Sequence, residues 1–542
     1  MEASAQYPGD HGERPPRRVP DMPWGGWGEP RPLPDRVRAL LHEMLGTTIP
    51  GPGVPAASVD LSPSLLPAAA RSALAAAAGG QLSEDRSARM LHTGGRSTTD
   101  LLRRRAGDAA AAPDAVVTPA THDEVLAVLA AAHEHQIAVV PFGGGTSVCG
   151  GVEPLRGGFG AVIALDLRRL DRLLSVDGVS LTATLQAGLR GPEAEELLAR
   201  HGVTLGHLPQ SFQHATIGGF AATRSAGQAS AGYGRFDDMV LAVKAATPRG
   251  TLVAGGRAPA SAAGPDLRQL LLGSEGVFGV ITEVTVRVRR RPEATLDQAW
   301  ALPDFAAGSA ALRELAQSDG PRPAVARLSD ELESAVLALS ASGTRYDGCL
   351  AITSCEGTAA GAAAASQTAA RVLAAHSGAP LGPGPAAAWR ESRFTAPYLR
   401  DALLAAGVLA ETLETATSWA NLPRLDAAVR SALTAALTAA GTAPLVMRHI
   451  SHVYPAGASL YYTVVCARAP DPIAQWATAK TAAGDAIAAA GGTITHHHAV
   501  GTDHRHWMNA EIGDLGADVL RAVKATLDPA GVLNPGKLIP PR

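Results

Sequence analysis

Apolar positions along the middle of the chain occur in short runs and in a period-two pattern, and both predict β-strands. Residues 115–117, 137–140 and 161–165 are continuous apolar runs with the length of a short strand. Residues 180–185 alternate polar and apolar side chains, as a half-buried strand does. Three further strands are predicted at 240–246, 251–253 and 280–288.

Helices are predicted between these strands by the residues that begin them. Thr121 followed by Glu124 is a capping box, in which each side chain satisfies a free backbone N–H at the start of a helix. Pro192 opens a second helix, because proline fits the first helical turn. Strands that alternate with helices therefore begin near residue 115.

The pattern changes on both sides of this region. Residues 33–45 predict a short amphipathic helix, and residues 48–82 predict a linker with one alanine-rich helix. Long alanine-rich helical stretches with a few strands follow Pro292. We expect an N-terminal extension and helical region at 1–111, an alternating domain at 112–292, a second domain at 293–500 and a C-terminal helical segment at 501–542.

The composition disfavours a nucleic-acid partner and favours a reducing compartment. The chain has 542 residues and a formal net charge of −3, without the positive excess of a nucleic-acid-binding protein. Its four cysteines show no metal-binding or disulfide spacing, which fits a reducing compartment. No apolar run reaches membrane-spanning length, and the first residues lack the pattern of a secretion signal. We expect a cytoplasmic protein without nucleic-acid partners, and a peripheral membrane contact stays open.

The strand at 137–140 runs into a glycine-rich loop at 141–147 that carries the first chemical signal. Three consecutive glycines bring backbone N–H groups close to a ligand without an intervening Cβ, as in loops that bind a diphosphate. Alone, such a loop also fits an ordinary tight turn. Three further segments fit the binding of one diphosphate-containing cofactor together with this loop. They are 210–227, the turn 247–250 and 273–282.

The order and spacing of these four segments over residues 112–292 resemble the FAD-binding domain of flavoproteins of the vanillyl-alcohol-oxidase type. The resemblance implies an α+β fold with a two-subdomain PCMH-type FAD-binding domain, an α/β cap domain for the substrate and a C-terminal helical segment near the flavin. It implies FAD as the cofactor, with Thr216 near the flavin N5. The residues it implies as FAD contacts are Pro141, Phe142, Gly143, Gly144, Gly145, Thr146, Ser147, Gln210, Ser211, Phe212, Gln213, His214, Ala215, Thr216, Thr223, Arg224, Ser225, Ala226, Glu275, Gly276, Val277, Phe278, Gly279, Val280 and Ile281.

Some members of this superfamily attach FAD covalently through a histidine in the glycine loop. Here Ser147, Val148 and Cys149 occupy that stretch, so we expect non-covalent FAD.

Shorter motifs narrow the resemblance to the alkyl-dihydroxyacetone-phosphate synthases, the flavoenzymes of ether-lipid synthesis. They are residues 24–28, 223–225, 398–401, 457–461 and 496–498, and the likeness extends over the chain from about residue 20. It implies an enzyme that exchanges the acyl group of acyl-dihydroxyacetone phosphate for a fatty alcohol through a flavin N5 adduct, without net redox change. It also implies a lipid-type substrate and a possible homodimer.

By the same resemblance Tyr461 is the general acid or base beside the reacting carbon, and Arg400 binds the substrate phosphate with its planar fork. A phenol acts as a base when its pKa is lowered, and we expect neighbouring cationic side chains to lower it. Without the resemblance, Tyr461 also fits an ordinary strand aromatic and Arg400 an ordinary surface cation.

The run His496, His497 and His498 leaves three interpretations open: polar residues at a strand end, a metal site, or a polar wall that binds phosphate or relays protons. On a strand, the first and third rings share one face and the second points away. No carboxylate or cysteine at ligand spacing completes a metal set, so we assign no metal and take the three histidines as catalytic candidates. Ala499 follows the run, where the synthases usually have glycine.

The main alternative on the same fold is a FAD-linked oxidase or dehydrogenase of a small D-2-hydroxy acid or related alcohol. Such relatives carry a Gly-Asp-Gly-Asn-x-His segment in the cap, whereas residues 452–461 lack its Asp, Asn and His and end on Tyr461. This difference counts against the redox alternative. A flavin-binding protein without turnover is disfavoured by the joint presence of Tyr461, Arg400 and the histidine run.

Overall fold

The computed structural model describes residues 12–28, 32–47, 53–341 and 347–541, and the first residues of the predicted N-terminal region lie outside it. Within these ranges the strands form four sheets. The two larger sheets have five and seven strands and belong to different halves of the chain.

The first half contains a four-stranded and a five-stranded sheet. In the four-stranded sheet, Ala115–Val117 and Ala138–Phe142 both run parallel to Val162–Asp166. The five-stranded sheet is antiparallel throughout. The strands of this half, in sheet order, are Leu82–Ser83, Ala115–Val117, Val162–Asp166 and Ala138–Phe142, then Leu173–Asp177, Thr182–Gln186, Val280–Arg287, Val240–Thr247 and Gly250–Gly255, with the pair Arg289–Arg290 and Val203–Thr204.

Helix starts in this half follow the sequence. Thr121 caps His122–Glu134 by accepting a hydrogen bond from the Glu124 N–H at 3.1 Å. The Glu124 carboxylate reaches back to the N–H of Ala120 at 2.6 Å, one residue before the predicted partner. The helices are Asp35–Leu45, Ala68–Ala77, Arg86–Leu91, Thr98–Arg105, His122–Glu134, Gly191–Arg200, Ile217–Ala222, Ser230–Tyr233, Phe236–Met239 and Arg268–Leu271, with a 3-10 turn at Ala56–Ser58.

The second half is built on one antiparallel sheet of seven strands. In sheet order these are Ala379–Pro380, Ala294–Leu302, Cys349–Gly357, Val325–Ser329, Leu445–Ile450, Gly457–Ala467 and Val408–Ser418. The helices of this half are Phe305–Gln317, Glu331–Ala341, Ala359–Ala375, Gly384–Ser392, Ala396–Ala405, Leu422–Ala439 and Pro472–Ala489. Leucines of Leu422–Ala439 pack with the side chains at 460, 462, 464 and 466 into the main core of this half.

The C-terminal segment returns to the first half. It forms a 3-10 turn at Arg505–Trp507 and the helix Met508–Leu527, which kinks at Gly513. Leu533 then bridges Val139 in parallel and is fully buried in the core of the four-stranded sheet. The tail therefore contributes to the fold of the first half as well as supplying a helix.

Residues 48–82 contain the expected alanine-rich helix, Ala68–Ala77, but this helix belongs to the core of the first half and not to a linker. Leu66, Ala70 and Leu74 are buried in the same core as the helix His122–Glu134. The alanine-rich composition concealed this, because alanine packs closely without giving a strong apolar pattern. None of the described helices has the length and hydropathy needed to cross a bilayer.

Leu74→Ala is expected to lower the free energy of unfolding by roughly 2–5 kcal/mol, because it leaves a cavity in this core. Leu74 is 0% exposed, whereas Leu65 is 61% exposed. Leu65→Ala is therefore the matched control, with an expected change within about 0.5 kcal/mol. Denaturant unfolding followed by circular dichroism measures both, and equal effects would contradict the packing of this helix.

Candidate active site

The predicted cofactor segments meet in space. A Cβ on Gly144 would overlap the carbonyl oxygen of His214, and a Cβ on Gly143 would overlap the Thr216 hydroxyl. A Cβ on Gly276 would lie 2.7 Å from Cγ of Pro141. The glycine loop thus touches segment 210–216 on one side and segment 275–281 on the other, at a distance that only glycine allows.

The backbone N–H groups of the glycine loop are available for a ligand. In the part of the chain that the structure describes, no N–H from Gly143 to Ser147 donates a hydrogen bond within the protein. Neighbouring N–H groups that face one cavity bind anions, and phosphate oxygens above all. This loop therefore fits the diphosphate of a dinucleotide.

The side chains of segment 210–216 contact the cap as well as the glycine loop. Tyr398 of the cap donates a hydrogen bond to Gln213 at 2.5 Å and lies 3.3 Å from Nε2 of His214. Gln210 donates to the carbonyl of Arg393 at 2.8 Å. Thr216 caps the helix Ile217–Ala222. This segment therefore links the two halves of the molecule.

Residues 223–226 lie behind this segment. Arg224 has a left-handed backbone with φ of 48° and donates to the carbonyl of Leu272 at 3.1 Å. The Ser225 hydroxyl lies 3.0 Å from Nε2 of His207, which is buried. The contacts of Arg224 and of the neighbouring backbone hold this stretch against residues 272–275, so the second and fourth cofactor segments are joined.

Glu275 ties the first half to the loop after the histidine run. Its carboxylate accepts hydrogen bonds from the N–H groups of Val500 and Gly501, at 2.9 and 3.0 Å. Burial raises the pKa of Glu275 to about 7, although the Gly501 and Val500 N–H groups favour the ionised form. A Cβ on Gly501 would overlap the carbonyl oxygen of Cys149, so the loop also closes against the residues after the glycine loop.

Tyr461 lies on the strand Gly457–Ala467, the second strand from one edge of the cap sheet. Its register partners are Glu414 on one neighbouring strand and His449 on the other. The His449 ring stacks on it, with ring centroids 4.6 Å apart and an angle of 14° between the planes. The rings of His497 and His498 lie 6.0 and 5.5 Å from it. The sheet thus presents the phenol to the histidine run.

The expectation that cations lower the pKa of Tyr461 is wrong for this structure. Burial raises its pKa, and a hydrogen bond with Thr412 and the charge of Arg400 offset only part of that rise. The histidines add little positive charge, because burial lowers the pKa of His497 and lowers that of His496 to about 3. The phenol is therefore protonated at neutral pH.

Arg400 is a partly enclosed cation of the site. Its guanidinium lies 3.4 Å from the Glu411 carboxylate, and its side chain is 12% exposed. It also donates to the Thr412 hydroxyl at 3.5 Å. Because Thr412 and Arg400 both act on Tyr461, the predicted phosphate binder and the predicted acid or base belong to one cluster.

The histidine run is not on a strand, so the predicted alternation of its rings is wrong. All three residues lie in a loop. Nδ1 of His496 lies 3.0 Å from Nδ1 of His497, which places these two rings on the same side. The carboxylate of Glu414 accepts the N–H groups of all three, at 2.6, 3.1 and 2.9 Å in chain order.

One candidate metal-ligand group of histidines occurs within the described residues, and it is not the predicted set. Ring nitrogens of His452, His496 and His497 lie within 4.8 Å of one another. His452 and His496 each use a nitrogen to hydrogen-bond a hydroxyl, that of Ser230 or Tyr454, at 2.6 Å. With the 3.0 Å contact between His496 and His497, these bonds make the cluster a hydrogen-bonded wall.

His504 and His506, the next two histidines along the chain, are not members of the candidate group. Nδ1 of His504 lies 2.6 Å from the carbonyl of Ala499. His506 packs its ring against Trp507 at 5.5 Å. Ala499 has a φ of 72°, a left-handed conformation that favours glycine. This explains physically why glycine would suit the position after the run.

Sequence reasoning missed Glu414 and Glu333, and it linked His449 to Tyr461 only by their closeness in sequence. The Glu333 carboxylate lies 2.9 Å from Nδ1 of His449, which is the ring stacked on Tyr461. Nothing in the sequence marks the two glutamates, because a glutamate within a strand or a helix is ordinarily solvated. Their partners come from segments more than 80 residues away, as for Glu414 and the histidine run.

Comparison with known protein families matches two stretches of the chain. A family model described as "FAD binding domain" matches residues 113–256, and one described as "FAD linked oxidases, C-terminal domain" matches residues 291–538. An alkyldihydroxyacetonephosphate synthase of Dictyostelium discoideum is 34% identical, over 85% of this chain and 79% of that protein. The synthase of Trypanosoma brucei brucei is 33% identical, over 85% of this chain and 78% of that protein.

A solved structure of an alkyldihydroxyacetonephosphate synthase superposes with a TM-score of 0.82 at 30% identity, covering 96% of this chain and 99% of that chain. The predicted α+β fold with a PCMH-type FAD-binding domain and a cap is thus confirmed, and FAD is the cofactor. The crowded glycine loop with its free N–H groups fits this cofactor.

Gly144→Ala is expected to weaken FAD binding by about tenfold to 100-fold, because the new methyl group meets a backbone carbonyl that cannot move cheaply. Gly160→Ala, in the same half, is the control, since no atom lies within 4 Å of its Cβ position. Titration of the apoprotein with FAD, followed by flavin fluorescence, measures both affinities. Equal affinities in the two variants would show that the loop is not the cofactor cradle.

Proposed function

The chain belongs to the family of the alkyldihydroxyacetonephosphate synthases, and from this membership we propose that it exchanges the acyl group of acyl-dihydroxyacetone phosphate for a fatty alcohol. The products are the alkyl ether and a free fatty acid. The observation that carries the proposal is the convergence of Tyr461, Arg400 and the histidine run at one end of the cap sheet. A lipid-type substrate follows from the same family membership.

FAD, when bound, supplies the electrophilic ring of an oxidised flavin, so that the exchange proceeds without net oxidation. The protein contributes binding, orientation and proton transfer. Arg400 presents a planar cation that suits a phosphate dianion, with Glu411 holding it in place. We assign phosphate binding to this residue.

Tyr461 holds the proton at the reacting carbon. Since burial keeps the phenol protonated, it enters the reaction as the acid. His497 and His498 are neutral imidazoles beside it, since burial lowers the pKa of both. For the phenol to act as a base, it must first lose its own proton. Neutral imidazoles accept protons, so the histidine run is the proposed acceptor of that proton.

We assign FAD contacts to residues 141–147, 210–216, 223–226 and 275–281, with Thr216 near the flavin N5. The packing of these segments against one another supports this assignment. Non-covalent attachment is proposed because no histidine stands in the glycine loop. Yellow colour retained in an acid-precipitated pellet would contradict it.

The remaining proposals concern the domain organisation, the oligomeric state and the location of the protein in the cell. We propose a cofactor domain at 112–292 and a cap at 293–500, in line with the matched ranges 113–256 and 291–538. Family resemblance supports a homodimer, and the composition supports a cytoplasmic location with a peripheral membrane contact left open.

The purified holoenzyme is expected to convert acyl-dihydroxyacetone phosphate and a fatty alcohol into ether product and fatty acid in equal amounts. The flavin absorbance at the end of turnover should match that at the start. A parallel anaerobic sample receives D-2-hydroxy acids and should keep its yellow band. Bleaching there, without ether product in the first sample, would replace the synthase by the redox alternative.

Tyr461→Phe is expected to lower kcat by about 10²–10⁴-fold, the usual contribution of a positioned acid or base. Tyr462→Phe is the matched control, because Tyr462 is the next residue on the same strand and its hydroxyl contacts Asp426 in the core at 3.3 Å. The control should keep kcat within about threefold. Wild-type turnover in Tyr461→Phe would remove the acid–base assignment.

A further inference from the structure

The conformation of the histidine run depends on a single buried side chain. Glu414 lies on the strand Val408–Ser418 and is 3% exposed. Its carboxylate accepts four hydrogen bonds from four consecutive residues, from the hydroxyl of Thr495 at 2.6 Å and from the three histidine N–H groups. Consecutive N–H groups of a strand point in opposite directions, so this convergence is incompatible with extended backbone.

The same carboxylate lies beside the residues that we propose for proton transfer. Glu414 is the register partner of Tyr461. Its oxygens lie 3.7 and 3.9 Å from Nδ1 of His497 and His498. One side chain therefore contacts the backbone that carries the imidazoles, two of the imidazole rings and the strand position of the proposed acid.

The contacts of Glu414 favour its ionised form. Burial alone would raise the pKa of Glu414, but the four donors that face its two oxygens stabilise the carboxylate, so the pKa lies below its ordinary value. An ionised carboxylate accepts hydrogen bonds at both oxygens, whereas an amide oxygen in its place replaces only one of them. The arrangement thus requires glutamate rather than glutamine.

We propose that Glu414 is the positioning residue of the histidine run, fixing its imidazoles beside Tyr461 for the proton transfers of the reaction. The proposal rests on the proposed function in so far as the histidines serve that reaction. We assign Glu414 no contact with substrate. Glu414 acts by fixing the loop that carries the histidines, and a displacement of about 1 Å at such a site costs on the order of 100-fold in rate.

The chain offers a matched control in Glu511. This exposed glutamate of the helix Met508–Leu527 also holds the same loop, by accepting the Thr493 hydroxyl at 2.7 Å and the Ile494 N–H at 3.0 Å. It holds the two residues before the Glu414 segment. If any hydrogen bond to the loop had the same role, substitution of either glutamate would have the same effect on the histidine run.

Glu414→Gln and Glu511→Gln are compared as holoenzymes by hydrogen–deuterium exchange and by steady-state kinetics. For Glu414→Gln we expect faster exchange of the amides of His496, His497 and His498, and a kcat lowered by about 100-fold with KM within about threefold. The FAD content should stay at the wild-type level. For Glu511→Gln we expect unchanged exchange at 496–498 and unchanged kcat.

Two results would overturn the proposal: wild-type exchange at 496–498 in Glu414→Gln, or faster exchange with unchanged kcat. If Glu414→Gln does not fold, Thr495→Val removes one of the four hydrogen bonds and should give a smaller change in the same direction. Wild-type behaviour of Thr495→Val in both readouts would then count against the proposal.

Exchange also separates this proposal from the proposed function. It needs no substrate, so Glu414 can be tested even if the wild-type enzyme leaves acyl-dihydroxyacetone phosphate unchanged. In that case the proposed function fails, and the rate comparison moves to whichever substrate the enzyme does turn over.

Discussion

Two buried carboxylates bind one loop between the two halves of the molecule, and the site depends on these hydrogen bonds. Glu414 of the cap binds the N–H groups of the histidine run, and Glu275 of the cofactor domain binds those of Val500 and Gly501. Removing a carboxylate from water is costly unless hydrogen bonds replace its hydration. Each glutamate therefore needs the loop in one conformation, and the loop in turn fixes how the cap meets the glycine loop.

Close backbone contact reinforces this arrangement. Gly501 packs against the carbonyl of Cys149, and the Cys149 thiol donates to the carbonyl of His498 at 2.9 Å. Ala499 accepts a left-handed conformation between them, at a strain that glycine would avoid. Sequence positions 149, 275, 414 and 501 thus belong to one junction. The cofactor cradle and the polar wall of the cap are consequently built together.

The same burial sets the protonation states in the site. It keeps the imidazoles neutral and the Tyr461 phenol protonated, because a low-dielectric surrounding disfavours every charge without a partner. The guanidinium of Arg400 lies beside the Glu411 carboxylate, and four donors face the carboxylate of Glu414. Charged groups and neutral groups that can exchange a proton therefore lie together around Tyr461.

The sequence by itself determined the elements whose cause is local. The apolar run ending in three glycines, the Thr121 cap and the Pro192 helix start depend on backbone sterics and on hydrogen bonds within a few residues, and the structure contains them all. The order of the four cofactor segments was equally readable, because each is a contiguous motif. The tertiary structure decided the packing of the helix Ala68–Ala77, the curled conformation of the histidine run and the raised pKa of Tyr461. Each of these depends on burial and on partners far along the chain, and a local pattern of residues contains neither.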